Sequence, residues 1–358
     1  MGKEKNKRSM KIGIVGCGKV AKGNHIPALL RAKGVEIAAV CDVDKEEAKR
    51  TAKMFNIDRY YTDISDMLKR EDLEMVDICT PPHLHAPMAI QAIEEGCHVL
   101  LEKPMTSSVS EADEILKALK NSGVKLCVVH NYLFMPIAIK AESIMERGEL
   151  GDITGMDVKF LDRFDSTPFW QKGHWCHSMP GGRFGENIIH PLYLIDKFLN
   201  ISDVVAVHAR KLSNYDWVSI DELKVLLDAE KGMATISMSG NSPRDVTTVD
   251  FYGTKMNLHL EFENSVVIKY KPLKYSSTKQ AVFSTIVDNM SIGSKRLTVS
   301  ASLPLKLLTR RRYIRSGHYY LIQKFIESIE DDKMPPVTGE EGRKVMALQE
   351  KIFNRIKV

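Results

Sequence analysis

Short, mainly apolar runs recur through the first third of the chain. Lys11–Val15, Val35–Val40, Met75–Cys79, Cys97–Leu101 and Val124–Val129 read as strands, Met75–Cys79 as a buried one and Cys97–Leu101 as one buried on both faces, with Tyr60-Tyr61 as a shorter one. Between them the period changes to that of helices, over Asp44–Asn56, Ile64–Arg70, Ala86–Glu95 and Glu111–Ser122. Asp44 is placed to cap the first of these, with Glu46 and Glu47 in its first turn, and Gly96 and Gly123 stop the last two. Strands alternating with helices of this length predict a doubly wound parallel sheet.

After Pro136 the pattern changes. A helix over Ile137–Arg147 leads through Gly148 and Gly151 into longer strands of period two: Asp157–Phe160, Val204–Arg210, Asp221–Asp228, Met233–Ser239 and Val246–Tyr252. This predicts an open, mainly antiparallel sheet with one face covered, in an α+β domain. The expected division is 1–134 and 135–358, with helices at His318–Ser328 and Gly339–Ile356 packing back on the first domain.

With 358 residues, 44% hydrophobic and 27% charged, the chain has ordinary globular composition and length for two cores. No apolar run approaches the roughly 20 residues of a membrane span. Met1–Arg8 is lysine-rich and polar, and is expected to be a frayed tail, not a secretory signal. The six cysteines form no CxxC pair, so they read as small buried hydrophobes in a reducing cytoplasm, with no disulfide set and no metal site. The net charge of +5 is uneven: between Asp288 and Glu327 there are eight Lys and Arg and no acid, while the remainder is mildly acidic.

Candidate chemistry gathers at the strand ends. Gly16-Cys17-Gly18-Lys19-Val20-Ala21 is a GxGxxA loop between a strand and a helix: the first glycine permits the turn, the second lets backbone approach a pyrophosphate. Asp42, ending the second strand, stands where the adenosine ribose hydroxyls are gripped. Its carboxylate favours NAD over NADP, which Lys45 and Arg50 leave possible. Further strand ends carry Thr80, Glu102-Lys103 and Asn131, all expected at one crevice, and Pro104 restrains Lys103 to extended backbone. A second constellation follows a glycine-rich loop at Gly181-Gly182: Glu186 and His190, four apart with Asn187 beside Glu186, share one face of a predicted apolar helix, Glu186–Leu199.

Taken together, these pieces resemble the Gfo/Idh/MocA family of nicotinamide-dependent oxidoreductases. The resemblance runs from the GxGxxA loop through Cys41-Asp42, Thr80-Pro81-Pro82-His83-Leu84-His85 and Glu102-Lys103-Pro104 to Glu186, His190 and Val337–Arg343. It implies a Rossmann domain followed by a substrate-binding and oligomerisation domain. It further implies cofactor contacts from Gly16, Gly18, Lys19, Val20, Asp42, Thr80, Pro81, His85, Glu102, Lys103 and Asn131. Lys103 and His190 would face the substrate carbinol, with Glu186, where the family usually has Asp, completing a triad. Oxidising an alcohol requires removal of its proton, which a neutral imidazole accepts near pH 7, while an ammonium stabilises the developing alkoxide. Arg163, Trp175, Arg183 and Asn187 are the further substrate candidates, and Trp170 and Trp175 with Arg183 are placed to stack on a ring or clamp a diphosphate.

The expected activity is hydride transfer between the nicotinamide and a secondary alcohol of a sugar, sugar nucleotide or cyclitol. The alternative is a regulator that keeps the Rossmann site without catalysis. The expected partners are a small sugar-like molecule and further copies of the chain, as dimer or tetramer, and no nucleic acid. The basic segment 291–316 reads first as a solvated insert, and otherwise as a surface that touches anionic lipid; Pro304 argues against one continuous helix there.

Overall fold

A computed structural model describes residues 9–164, 167–272, 278–308 and 317–356. The tail Met1–Arg8 and the arginines at 310–312 and 315 lie outside the described residues. The chain divides into two compact units, one of residues 1–134 and 313–347, the other of 135–312 and 348–358.

The first unit is built on six parallel strands: β1 (Met10–Val15), β2 (Val35–Cys41), β3 (Arg59–Tyr61), β4 (Met75–Ile78), β5 (His98–Leu101) and β6 (Leu126–Val128). Their order is β3-β2-β1-β4-β5-β6, so the direction of winding reverses between β1 and β4. Val15 lies beside both Cys41 and Ile78, Ile78 beside Leu101, and Leu101 beside Val128. The strands therefore end in one row, and the residues that follow them are neighbours.

A π turn (Ala21–His25) continues into α1 (Ile26–Leu29); α2 (Lys45–Phe55), α3 (Ile64–Arg70), α4 (His85–Glu94) and α5 (Val109–Leu119) follow. Asp44 caps α2 by accepting from the Glu46 and Glu47 amides at 3.0 and 3.2 Å, and Asn56 closes it in the left-handed conformation. Asp63 and Ser108 cap α3 and α5 in the same way.

The second unit begins with α6 (Pro136–Glu146) and β7 (Ile153–Arg163). Two helices follow, α7 (Arg183–Asn187) and α8 (Ile189–Leu199). The single helix expected over Glu186–Leu199 is thus broken at Ile188. Pro191 explains the break: it has no N–H for the Asn187 carbonyl four residues back, and its ring crowds that oxygen.

The strands β8 (Ile201–Arg210), β9 (Glu222–Ala229), β10 (Gly232–Ser239), β11 (Asn241–Gly253), β12 (Asn257–Glu261) and β13 (Val266–Tyr270) complete a seven-stranded sheet ordered β13-β12-β11-β7-β10-β9-β8. Only the β7–β10 pair is parallel. Leu192, Leu194 and Ile195 of α8 are buried, as are the inward residues Val158, Phe160, Ile236 and Met238 of the strands that α8 packs on. A long helix, α9 (Thr278–Leu308), follows β13 and runs through Pro304, contrary to the break expected there. In the first unit α10 (His318–Glu330) follows, and the boundary between the units falls within the last helix, α11 (Gly339–Phe353).

Candidate active site

At the end of β1 the chain turns on Gly16, whose φ is +91°. A side chain there would meet the Cys79 carbonyl carbon at 2.8 Å, so only glycine fits. Gly18 is different: a Cβ added to it meets no atom within 4 Å, and its backbone stands exposed at the start of the Lys19-Val20 helical turn. Asp42 faces this loop from the tip of β2. One of its oxygens accepts from the Cys17 amide at 2.7 Å and the other from the Asp44 amide at 3.0 Å. Two nearby cations, Lys22 and Arg50, are both engaged by Glu47. An open glycine cradle with a carboxylate at its rim fits the pyrophosphate and ribose of a dinucleotide.

Behind the cradle lies a buried polar network that the sequence reading missed. The π turn carries His25 inward, where Nδ1 lies 2.9–3.0 Å from both Asp77 oxygens and Nε2 lies 2.8 Å from Glu102. Carboxylates only accept, so the ring holds both protons and is an imidazolium. Burial opposes that charge, but Asp77 and its hydrogen bond outweigh burial and raise the imidazole well above its ordinary value. Glu102 also takes His318 Nε2 at 3.2 Å, and its second oxygen accepts the Lys103 amide at 2.9 Å. Burial pushes the Glu102 carboxyl up, yet the hydrogen bonds from His25 and His318 hold it well below the usual range. One ring nitrogen each of His25 and His318 and a carboxylate oxygen of Glu102 lie within 4.8 Å of one another.

Two of the expected cofactor contacts are engaged within the protein. Glu102 is buried and occupied by three donors, so it anchors the backbone of Lys103 from below. His85 is fully buried between carbonyls, 2.8 Å from Thr80 O and 2.9 Å from Pro104 O, and it ties the β4 and β5 end loops together. Burial lowers its imidazole below the ordinary value. Thr80, Pro81 and Lys103 keep partial exposure beside these loops, and Asn131 is buried at the start of the turn after β6.

In the second unit, Arg183 is a buried hub. Its guanidinium pairs with Glu186, lies 3.0 Å from Asp162, and sits 4.5 Å over the Phe169 ring. Burial would lower it, but the two carboxylates raise it further. Arg183 is therefore compensated within the protein, against its expected service as an anion clamp. His190, buried at the start of α8, stacks on Phe160, and its Nδ1 meets the Tyr193 hydroxyl at 2.7 Å. Tyr193 stands one turn along the helix from His190, and Glu186, the acid expected to complete a triad, pairs with Arg183. Trp170 is core, packed on Phe164 and Phe184, so it stacks on no ligand. Asn187 is buried, Trp175 half-buried, and Arg163 exposed at the end of β7.

Residues 10–130 match the family model described as "Oxidoreductase family, NAD-binding Rossmann fold". The uncharacterized oxidoreductase YrbE of Bacillus subtilis is 30% identical over 250 residues, 68% of this chain and 71% of that one. The chain belongs to the Gfo/Idh/MocA family. Its first unit is accordingly the NAD-binding domain of an oxidoreductase. D-apiose dehydrogenase of Paraburkholderia graminis is 30% identical over 158 residues, 44% of this chain and 42% of that protein. The Bordetella pertussis WlbA dehydrogenase, solved with NADH and UDP-GlcNAcA, superposes with a TM-score of 0.76 at 21% identity, covering 97% of this chain and 95% of that one. That likeness is one of fold.

Within this family member, the sequence signals for the missed residues were faint. His25 follows the glycine loop by a few positions, but nothing local marks it as inward-facing until the π turn does so. Asp77 stood inside a strand read only as buried. Tyr193 had the i, i+3 spacing to His190 that places two side chains on one helix face.

Proposed function

We propose that this protein oxidises or reduces a secondary alcohol of a sugar, sugar nucleotide or cyclitol, with NAD as its preferred cofactor. The cradle at Gly16 and Gly18, rimmed by the Asp42 carboxylate, carries the reading. When bound, the nicotinamide supplies the acceptor or donor of the hydride. Gly18 leaves room for the pyrophosphate, and Asp42 receives the ribose hydroxyls while repelling a 2′-phosphate. In the direction of oxidation, His190 takes the hydroxyl proton at Nε2; its Nδ1–H donates to the Tyr193 oxygen, which fixes the tautomer. Lys103, held through its own amide by Glu102, stabilises the developing alkoxide with its ammonium. Glu186 acts through Arg183, keeping α7 in place ahead of α8.

The names of the relatives support the substrate class: one is a dehydrogenase of D-apiose, and another was solved with a UDP-sugar acid. Six free cysteines are in keeping with a cytoplasmic setting. Val205, Met233, Tyr252 and Tyr270, exposed on strands of the second sheet, favour a homo-oligomer.

The test is turnover with a panel of UDP-sugars, free sugars and inositols, read as reduced cofactor. Lys103→Ala and His190→Ala are each expected to lower turnover at least about tenfold with NAD affinity nearly unchanged. Wild-type turnover in either variant removes that residue from the mechanism. Native mass spectrometry that finds no NAD or NADP taken up overturns the cofactor reading.

A further inference from the structure

We propose that the Glu102 carboxylate selects the oxidised form of the cofactor: it leaves one negative charge in excess beneath the strand ends, which favours the cationic nicotinamide of NAD+ over the neutral ring of NADH. The placement of the ring rests on the cofactor contacts proposed above. With the pyrophosphate at the Gly16–Gly18 loop after β1 and the adenosine half towards Asp42 on β2, the nicotinamide half falls across the switch point, over the ends of β4 and β5. Glu102 belongs to that place. It follows the last residue of β5, and its amide donates to the Ile78 carbonyl at the end of β4 at 3.0 Å.

The excess charge follows from the hydrogen bonds. Asp77 offers both its oxygens to His25 Nδ1 at 2.9–3.0 Å, and one carboxylate is enough to balance one imidazolium. Glu102 is a second carboxylate on the same ring. Its other donors, the Lys103 amide at 2.9 Å and His318 Nε2 at 3.2 Å, bring hydrogen bonds without charge. His318 Nδ1 is buried and finds no partner among the described residues, so that ring carries its single proton on Nε2. The hydrogen bonds from His25 and His318 keep Glu102 ionised in spite of its burial. Two negative charges and one positive thus share a place that is closed to screening water. An anchor for the Lys103 amide needs an acceptor oxygen but no charge, and an unbalanced buried charge is costly to keep. The nicotinamide ring supplies the missing positive charge in one redox state and withdraws it in the other. The Lys103 ammonium and His85 are the same in both states and in every variant below, so they cancel from the comparison.

The test is titration calorimetry of the full chain with NAD+, NADH and ADP-ribose, at about pH 6 so that His25 keeps its proton in every variant. Glu102→Gln removes the charge and leaves an acceptor for the Lys103 amide. The ratio of the Kd for NADH to the Kd for NAD+ is expected to fall by about tenfold in this variant. ADP-ribose lacks the ring, and its affinity should change by no more than about twofold. Asp77→Asn removes a charge from the far side of His25 and should move the ratio the same way. His318→Gln takes a donor from Glu102 without altering the charge, and should leave the ratio within about twofold of wild type. A ratio that stays or rises in Glu102→Gln, or that His318→Gln shifts equally, overturns the proposal. So does an equal loss of all three ligands, which would make Glu102 a structural anchor alone. If Glu102→Gln does not fold, Asp77→Asn against His318→Gln decides by the same criteria. A wild-type chain that binds neither form of the dinucleotide overturns the cofactor contacts themselves. The ratio is read without substrate, so the proposal and the enzymatic reading fail separately.

Discussion

Asp77→Asn is the substitution that most directly tests the buried network. Asparagine keeps the shape of the side chain and an acceptor oxygen for His25 Nδ1–H, and it removes one negative charge from a site with no solvent. A hydrogen bond to a charged group contributes about 1.5–3 kcal/mol, and breaking a buried pair costs about 3–5 kcal/mol. The variant should therefore be destabilised by about 2–4 kcal/mol near pH 6.5. The pH dependence is more telling than that figure. His25 titrates well above its ordinary value in the folded protein, so from about pH 6.5 upward the native state holds a proton that the unfolded chain has lost. Stability due to this group is complete below the unfolded value and falls by about 1.4 kcal/mol per pH unit until the folded value is passed. In Asp77→Asn the folded value drops toward the ordinary one and the slope shortens. The difference between the two proteins should thus shrink as pH rises from 6.5 toward 9. His259, whose imidazole is also raised above its ordinary value by its hydrogen bond to Asp250, is present in both and cancels. The measurement is urea unfolding at a series of pH values, followed by far-ultraviolet circular dichroism, because all three tryptophans lie in the second unit. Parallel pH profiles for the two proteins would refute the charged His25 and the network built on it.

Two further outcomes follow from the site. Tyr193→Phe takes the hydroxyl from His190 Nδ1; turnover should fall by about tenfold, and the pH at which half of it is reached should move, with KM for NAD unchanged. An unmoved pH profile would make Tyr193 a packing residue. Asp42→Asn keeps an acceptor for the Cys17 amide while removing the charge that repels a 2′-phosphate. The ratio of kcat/KM for NADP over NAD should rise by about tenfold or more, and an unchanged ratio would place cofactor choice elsewhere.

Much of the first unit could be read along the chain because its rules act within a few residues. Short, mainly apolar runs became strands of the first sheet, Asp44 capped α2 two and three residues on, and Gly16 turned the chain where a Cβ has no room. The same kind of rule would have found the break at Ile188, since Pro191 denies the Asn187 carbonyl its partner; a pattern of apolar residues concealed it.

What remained hidden depends on residues that are far apart in sequence. His25 meets Asp77 and Glu102 across 52 and 77 positions, and His318 reaches Glu102 across 216. Arg183 looked like a clamp for an anion until folding placed Asp162 and Glu186 against it. Local periodicity and backbone sterics specify elements and turns. Which buried charges find partners, and which apolar faces find none, is settled when distant segments compete for the same low-dielectric interior.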